Sequence, residues 1–312
     1  MTARALRTVF FGSPAFAVPC LRAVAAETAL QAVVSQPDRP AGRGQAPTPP
    51  AVKVEAEKLG VPVFQPEKVR TPETAAALAA FAADLFVVVA YGRILPQALL
   101  DLPRLGPFNV HASVLPKLRG AAPIQWSIIR GEAETGVSIM RMEAGLDTGP
   151  VAAVRRLPIT DEDTTGTLSE KLSRLGAELL VATLPAIADG SVRFQPQDDA
   201  AATLAPLLTK SDGVLRWDQP ARLVSAQARG VDPWPGATTT LGGESLKLFS
   251  PRVVTGGAEA PGVVIETGPQ GLLVSCGGGT AVAFAELQFP GKRRMPAGLA
   301  RDRLPRGTIL GS

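Results

Sequence analysis

Leu85-Phe-Val-Val-Val-Ala90 is an unbroken apolar run, rich in β-branched residues, that leads into Tyr91-Gly92. A strand that is apolar at every position, rather than at alternate ones, is covered on both faces, as in a parallel sheet held between helices. Outward from this run, Thr8-Val-Phe-Phe-Gly12 and Leu30-Gln-Ala-Val-Val-Ser35 repeat the pattern. Between them lie Phe16 to Ala26, Val52 to Leu59 and Pro72 to Ala83, which read as helices. Strands alternating with helices predict an α/β domain built on a parallel sheet. Open sheets of this kind bind ligands at the carboxyl ends of their strands. Three strand ends therefore draw attention: Gly12-Ser-Pro14, Ala90-Tyr-Gly92 and the residues after Phe108-Asn-Val110.

The sheet pattern fades after a predicted helix over Leu168 to Ala188, and Asp189-Gly190 followed by Gln195-Pro-Gln-Asp-Asp199 reads as a linker. From about residue 207 the texture changes to short apolar pieces punctuated by Gly and Pro: Leu246 to Phe249, Gly262 to Ile265, Gly271 to Ser275 and Thr280 to Phe284. Closely spaced short strands with turn signals predict a small barrel, and its length suits the open five-stranded oligonucleotide-binding kind. The expected division is a first domain over 1–189, a linker over 190–206 and an OB-like barrel over 207–312. A chain of 312 residues, 46% hydrophobic, has enough apolar surface for two cores.

Composition excludes several classes. No apolar run reaches the length of a membrane span, and Met1 to Phe11 lacks the layout of a secretory signal. The two cysteines, Cys20 and Cys276, are far apart and form neither a disulfide framework nor a zinc motif. A soluble cytoplasmic protein without a metal is the expectation. The net charge of +4 is concentrated in one region: residues 1 to 206 hold 20 basic and 20 acidic side chains, residues 207 to 312 hold 12 and 8. Lys292, Arg293, Arg294, Arg301, Arg303 and Arg306 face only Glu286 and Asp302 in their stretch, a density that attracts a polyanion or makes a solvated basic tail.

His111 is the only histidine and directly follows a predicted strand in Asn109-Val-His111. Imidazole can take or give a proton near neutral pH. Asn109, two residues earlier on an extended strand, points to the same face, where its amide could donate to a developing oxyanion. Asp147, in Gly145-Leu-Asp-Thr-Gly149, is either an acid that orients the imidazole or a turn residue bonding its own backbone. Spacing does not choose between them. Nucleophilic serine chemistry lacks a GxSxG elbow, and no GxGxxG or GxxxxGK[ST] phosphate loop is present. The three tryptophans, Trp126, Trp217 and Trp234, read as core or turn anchors.

The block His111-Ala-Ser-Val-Leu-Pro-Lys-Leu-Arg-Gly-Ala-Ala-Pro-Ile-Gln125 resembles the SLLPxxRG signature of the folate-dependent formyltransferases, with Val114 in place of a leucine. Gln36-Pro-Asp-Arg-Pro-Ala-Gly-Arg-Gly44, Gly145 to Gly149, Asp232-Pro-Trp-Pro-Gly236 and Gly291-Lys-Arg-Arg-Met295 resemble the methionyl-tRNA branch of that family, and the likeness runs over essentially the whole chain. The resemblance implies a Rossmann-like first domain, 10-formyltetrahydrofolate as formyl donor and initiator methionyl-tRNA as partner; a monomer is the expectation. It further implies Asn109, His111 and Asp147 as the catalytic cluster. Ser113, Val114, Leu115 and Pro116, with Val89, Ala90, Tyr91 and Gly92, would line the folate site. The Arg39 to Lys53 insertion would meet the tRNA acceptor stem through Arg39 and Arg43. Lys117, Arg119, Lys292, Arg293 and Arg294 are further candidates for phosphate contacts; for Lys117 and Arg119 the folate glutamate tail or solvent competes. The nearest rival is a relative that formylates a small amine.

Overall fold

The structure is a computed structural model that describes residues 2–41 and 46–311. The chain forms two compact units, the first comprising 1–121, 135–157 and 169–205, the second 122–134, 158–168 and 206–312.

The first unit begins with β1 (Arg7–Gly12), α1 (Val18–Glu27) and β2 (Ala29–Val34). A two-stranded antiparallel ribbon follows, β3 (Arg39–Ala41) with β4 (Ala46–Thr48), and then α2 (Ala51–Lys58), β5 (Val63–Phe64), α3 (Pro72–Ala79) and β6 (Leu85–Val89). α4 (Gln97–Leu100) leads to β7 (Pro107–His111). The sheet order is β5-β2-β1-β6-β7, extended by β8 (Glu134–Arg141) and β9 (Val151–Pro158). Pairing is parallel from β5 to β7, as the apolar runs predict, and turns antiparallel where β7 meets β8. All of β6 is buried; Phe86 and Val88 pack with Val9, Phe11 and α3 residue Leu78. Strand order reverses at β1, between β2 and β6, which opens a crevice at their carboxyl ends. The helix α6 (Thr165–Asp189) lies close to β7, since a Cβ at Gly176 would stand 3.0 Å from Val110.

The segments over β8 and β9 carry no clear strand signal because Gly136 and Ser138 interrupt the apolar run of β8. Both are tolerated for physical reasons. A Cβ at Gly136 would lie 2.2 Å from the Arg155 carbonyl of neighbouring β9. Ser138 is fully buried, and its hydroxyl donates to the Ser113 carbonyl (2.8 Å) while accepting from the Leu115 amide (3.1 Å).

The second unit contains α5 (Pro123–Ile129), α7 (Ala221–Gly230) and an antiparallel sheet. Its strands are β10 (Thr238–Leu241), β11 (Glu244–Val254), β12 (Val264–Gly268), β13 (Gly271–Cys276), β14 (Thr280–Gln288) and the short β15 (Met295–Pro296). They run in the order β10-β11-β14-β13-β12, with β15 on β14. The chain end joins the two edges: the Leu310 amide donates to Gly262 beside β12, and the Gly311 amide donates to Thr240 of β10. This closure makes the sheet OB-like and covers edges that would otherwise expose unpaired backbone. Leu310, Trp217, Val264 and Phe284 share its core. Trp217 donates to Thr239 (3.0 Å), whereas Trp234 is 53% exposed on its turn.

Leu310→Ala is expected to cost about 2–5 kcal/mol, since it opens a cavity under the closing segment; a lower midpoint in denaturant unfolding checks this.

Candidate active site

β7 ends at His111, and the period-two geometry of that strand puts Asn109 and His111 on one face. Asp147 comes from the loop between β8 and β9 and meets both. Its Oδ2 lies 3.7 Å from His111 Nδ1, and Asn109 Nδ2 lies 3.5 Å from its Oδ1. The backbone amide of Gly120 donates to Oδ2 at 2.8 Å. His111 Nε2 is 3.0 Å from the Leu118 carbonyl. A carbonyl only accepts, so Nε2 carries a hydrogen and Nδ1 is the nitrogen that faces Asp147. The imidazole is 5% exposed and therefore held in one orientation. Distances of 3.5 and 3.7 Å are longer than ordinary hydrogen bonds, which leaves capacity on each group for a reacting partner.

The loop from Ser113 to Gly120 is shaped by its own backbone. Leu115–Pro116 is a cis peptide, and Leu118 and Gly120 have positive φ. A Cβ at Gly120 would stand 2.7 Å from the Ala205 carbonyl, so glycine is required there. Ser113 is fully buried, its hydroxyl donating to Lys117 O, while Leu115 is 7% exposed. Val114 and Pro116 are partly exposed and Lys117 is exposed.

The crevice at the strand-order reversal has a volume of about 400 Å³ and is lined by Ser13, Gln36, Pro37, Ala90, Tyr91 and Gly92. Ala90 and Gly92 both have positive φ, and this turns the chain sharply after β6. Gln36 donates to the Tyr91 carbonyl (3.0 Å) and accepts from Arg93 (2.9 Å). Val89 is buried beneath this turn.

Among the remaining residues singled out in the sequence, Arg39 also lines the crevice. Arg39 is exposed at the start of the β3–β4 ribbon, and Arg43 lies outside the described residues. Arg119 is 7% exposed, with its guanidinium bound to Gln197 and Asp199, so its side chain is occupied inside the first unit. In the second unit Lys292, Arg293 and Arg294 are exposed, Arg294 pairing with Glu286 and lying over the Phe249 ring. Gln197 is absent from the sequence-based set. Its amide donates to the carbonyls of Asp147 and Gly149, each at 2.7 Å. No periodicity or motif marks it.

A formyl transferase family model matches residues 6–184, and a formyl transferase C-terminal domain model matches 207–300. A methionyl-tRNA formyltransferase from Citrifermentans bemidjiense is 48% identical over 309 residues, 98% of this chain and 96% of the relative. One from Sorangium cellulosum is 48% identical, covering 98% of this chain and all of the relative. The chain belongs to the methionyl-tRNA formyltransferase family. The fold is shared more widely: HypX from Aquifex aeolicus, solved with tetrahydrofolic acid, superposes with a TM-score of 0.63 at 17% identity. That match covers 97% of this chain and about half (48%) of HypX.

Cysteine chemistry plays no part in this site. Burial pushes both the Cys20 and Cys276 thiols up to about 12, so they stay protonated and unreactive at neutral pH. An aromatic disulfide reagent is expected to find no reactive thiol in the native protein and both after denaturation.

Proposed function

We propose that this chain transfers the formyl group of 10-formyltetrahydrofolate to the free α-amino group of methionine on initiator methionyl-tRNA, with Asn109, His111 and Asp147 at the reacting centre. The observation that carries this reading is the convergence of His111 Nδ1, Asn109 Nδ2 and the Gly120 amide on one carboxylate, in a chain 48% identical to methionyl-tRNA formyltransferases. The neutral amine attacks the formyl carbon, forming a carbon–nitrogen bond and leaving negative charge on the formyl oxygen. The Asn109 amide and protonated His111 donate toward that oxygen, and Asp147 balances the imidazolium charge. The bond from the formyl carbon to N10 then breaks, and N10 takes up a proton. Asp147 takes the proton that the amine gives up, while His111 Nδ1 gives its own proton to N10 and is then reprotonated from Asp147.

The first unit, of which 190–205 are a part, serves as the catalytic domain, and the second unit as the tRNA-binding domain. The turn Val89 to Gly92 and the segment Ser113 to Pro116 hold the folate, with Val114 and Pro116 offering exposed surface and Ser113 fixing the loop from within. Arg39, Arg43, Lys117, Lys292, Arg293 and Arg294 meet tRNA phosphates. The protein works as a monomer in the cytoplasm. Among the described residues no helix is long and apolar enough to cross a membrane.

Incubation with 10-formyltetrahydrofolate and charged initiator or elongator methionine tRNA tests the reaction directly. Formylmethionine on the initiator alone is expected; formylation of neither tRNA overturns the reading and favours a small-amine acceptor. Asn109→Ala and Asp147→Asn are each expected to lower single-turnover rates about a hundredfold or more, equivalent to roughly 3 kcal/mol, with little change in folate binding. Replacing Lys292, Arg293 and Arg294 together with alanine is expected to weaken tRNA binding and flatten its dependence on salt, because each lost phosphate contact lowers the slope of log K against log salt by about 0.9. Filter binding at several salt concentrations measures it.

A further inference from the structure

Asp147 has φ of 52°, a left-handed conformation that is uncommon for a residue with a side chain and persists only where its surroundings enforce it. This backbone aims the carboxylate at His111, Asn109 and Gly120. Within its own loop, Gly145 and Gly149 leave space for the turn, since a Cβ at Gly149 would lie 1.9 Å from the Arg141 carbonyl. Space alone does not hold a conformation. The restraint comes from Gln197, about fifty residues on, whose Nε2 donates to both Asp147 O and Gly149 O at 2.7 Å.

The orientation of that amide is itself determined. Its Oε1 accepts from Arg119 Nε (3.0 Å) and Nη2 (2.9 Å), so a flipped amide would set oxygen against two carbonyls and nitrogen against a guanidinium. Arg119 is buried and tied on both sides by backbone bonds, its amide donating to Thr203 O and its carbonyl accepting from Ala205 N. Gln197 is anchored from its other side, because Gln195 and Val151 exchange two backbone hydrogen bonds at the start of β9. A buried cation thus orients an amide, and the amide clamps the two carbonyls that flank the turn.

We propose that Gln197, oriented by Arg119, is a positioning residue for the formyl transfer: it holds the Asp147 turn in the one backbone geometry from which the carboxylate reaches His111. The proposal rests on the reading of Asp147 as a member of the reacting centre. Gln197 touches backbone only and is not itself catalytic. Misplacement of a catalytic group by about 1 Å costs on the order of a hundredfold in rate, so loss of the clamp acts on turnover rather than on substrate binding.

Gln197→Glu keeps the size of the side chain and its pairing with Arg119 but removes both donors, and Gln197→Ala removes the clamp without adding charge. Both are compared with Asp147→Asn and with the double variant Gln197→Glu/Asp147→Asn, after thermal unfolding has confirmed which are folded. The expected result is a kcat lowered tenfold to a hundredfold in each Gln197 variant that folds, KM for 10-formyltetrahydrofolate unchanged, and no further loss in the double variant. Parental kcat in the Gln197 variants, a raised KM with kcat intact, or multiplicative losses in the double variant would each overturn the proposal. Parental activity of Asp147→Asn alone overturns instead the underlying assignment of Asp147, and the clamp with it.

Discussion

The carboxylate of Asp147 is where the geometry of the first unit converges. One oxygen faces His111 Nδ1 and accepts the Gly120 amide, the other faces Asn109, and the residue that carries them adopts a backbone conformation it would not choose alone. Each partner arrives on a different element: His111 and Asn109 at the end of β7, Gly120 at the end of a loop bent by a cis proline, and Asp147 between β8 and β9. The site therefore depends on the relative placement of neighbouring strands, which the β7–β8 backbone register and a small buried cluster of Leu115, Met140 and Val151 hold together.

The antiparallel turn of the sheet at β8 matters for this reason. With β8 beside β7 in the opposite direction, the loop after β8 starts next to the strand that carries Asn109 and His111. Met140 pairs with Asn109 in that register, so the turn carrying Asp147 begins only a few residues from the face it serves. The polar residues within β8 belong to the same arrangement. Ser138, fully buried, ties the Ser113 to Pro116 loop to the strand by bonding both Ser113 and Leu115.

Arg119 shows how burial alters the meaning of a charge. As a basic residue near the reacting centre it resembles a phosphate ligand, yet its guanidinium is enclosed and satisfied by Gln197 and Asp199. A buried guanidinium without partners would be costly, and here Gln197, one of those partners, also bonds the carbonyls on either side of the Asp147 turn. The exposed cations of the second unit, Lys292 and Arg293, are in the opposite situation, with their charge open to solvent and to any polyanion.

Much of this protein was determined by the sequence alone. The all-apolar run at β6 and the largely apolar ones at β1 and β2 specify a sheet buried on both faces, because a strand with water on one side would alternate. The change to short Gly- and Pro-punctuated strands near residue 207 marks the second unit, and period two makes Asn109 and His111 neighbours without reference to anything distant. The antiparallel β8, the pairing of Asp147 with His111, the closing of the barrel by Leu310 and Gly311, and the clamp by Gln197 were decided only in the tertiary structure. Gly136 and Ser138 disguised β8, since each is explained by a contact with a residue elsewhere in the chain. Asp147 and Gln197 are separated by 50 residues, and Arg119 and Gln197 by 78. Hydrogen bonds across such distances leave no periodic trace, because side-chain amides and carboxylates have the same local pattern whether they meet a buried partner or water.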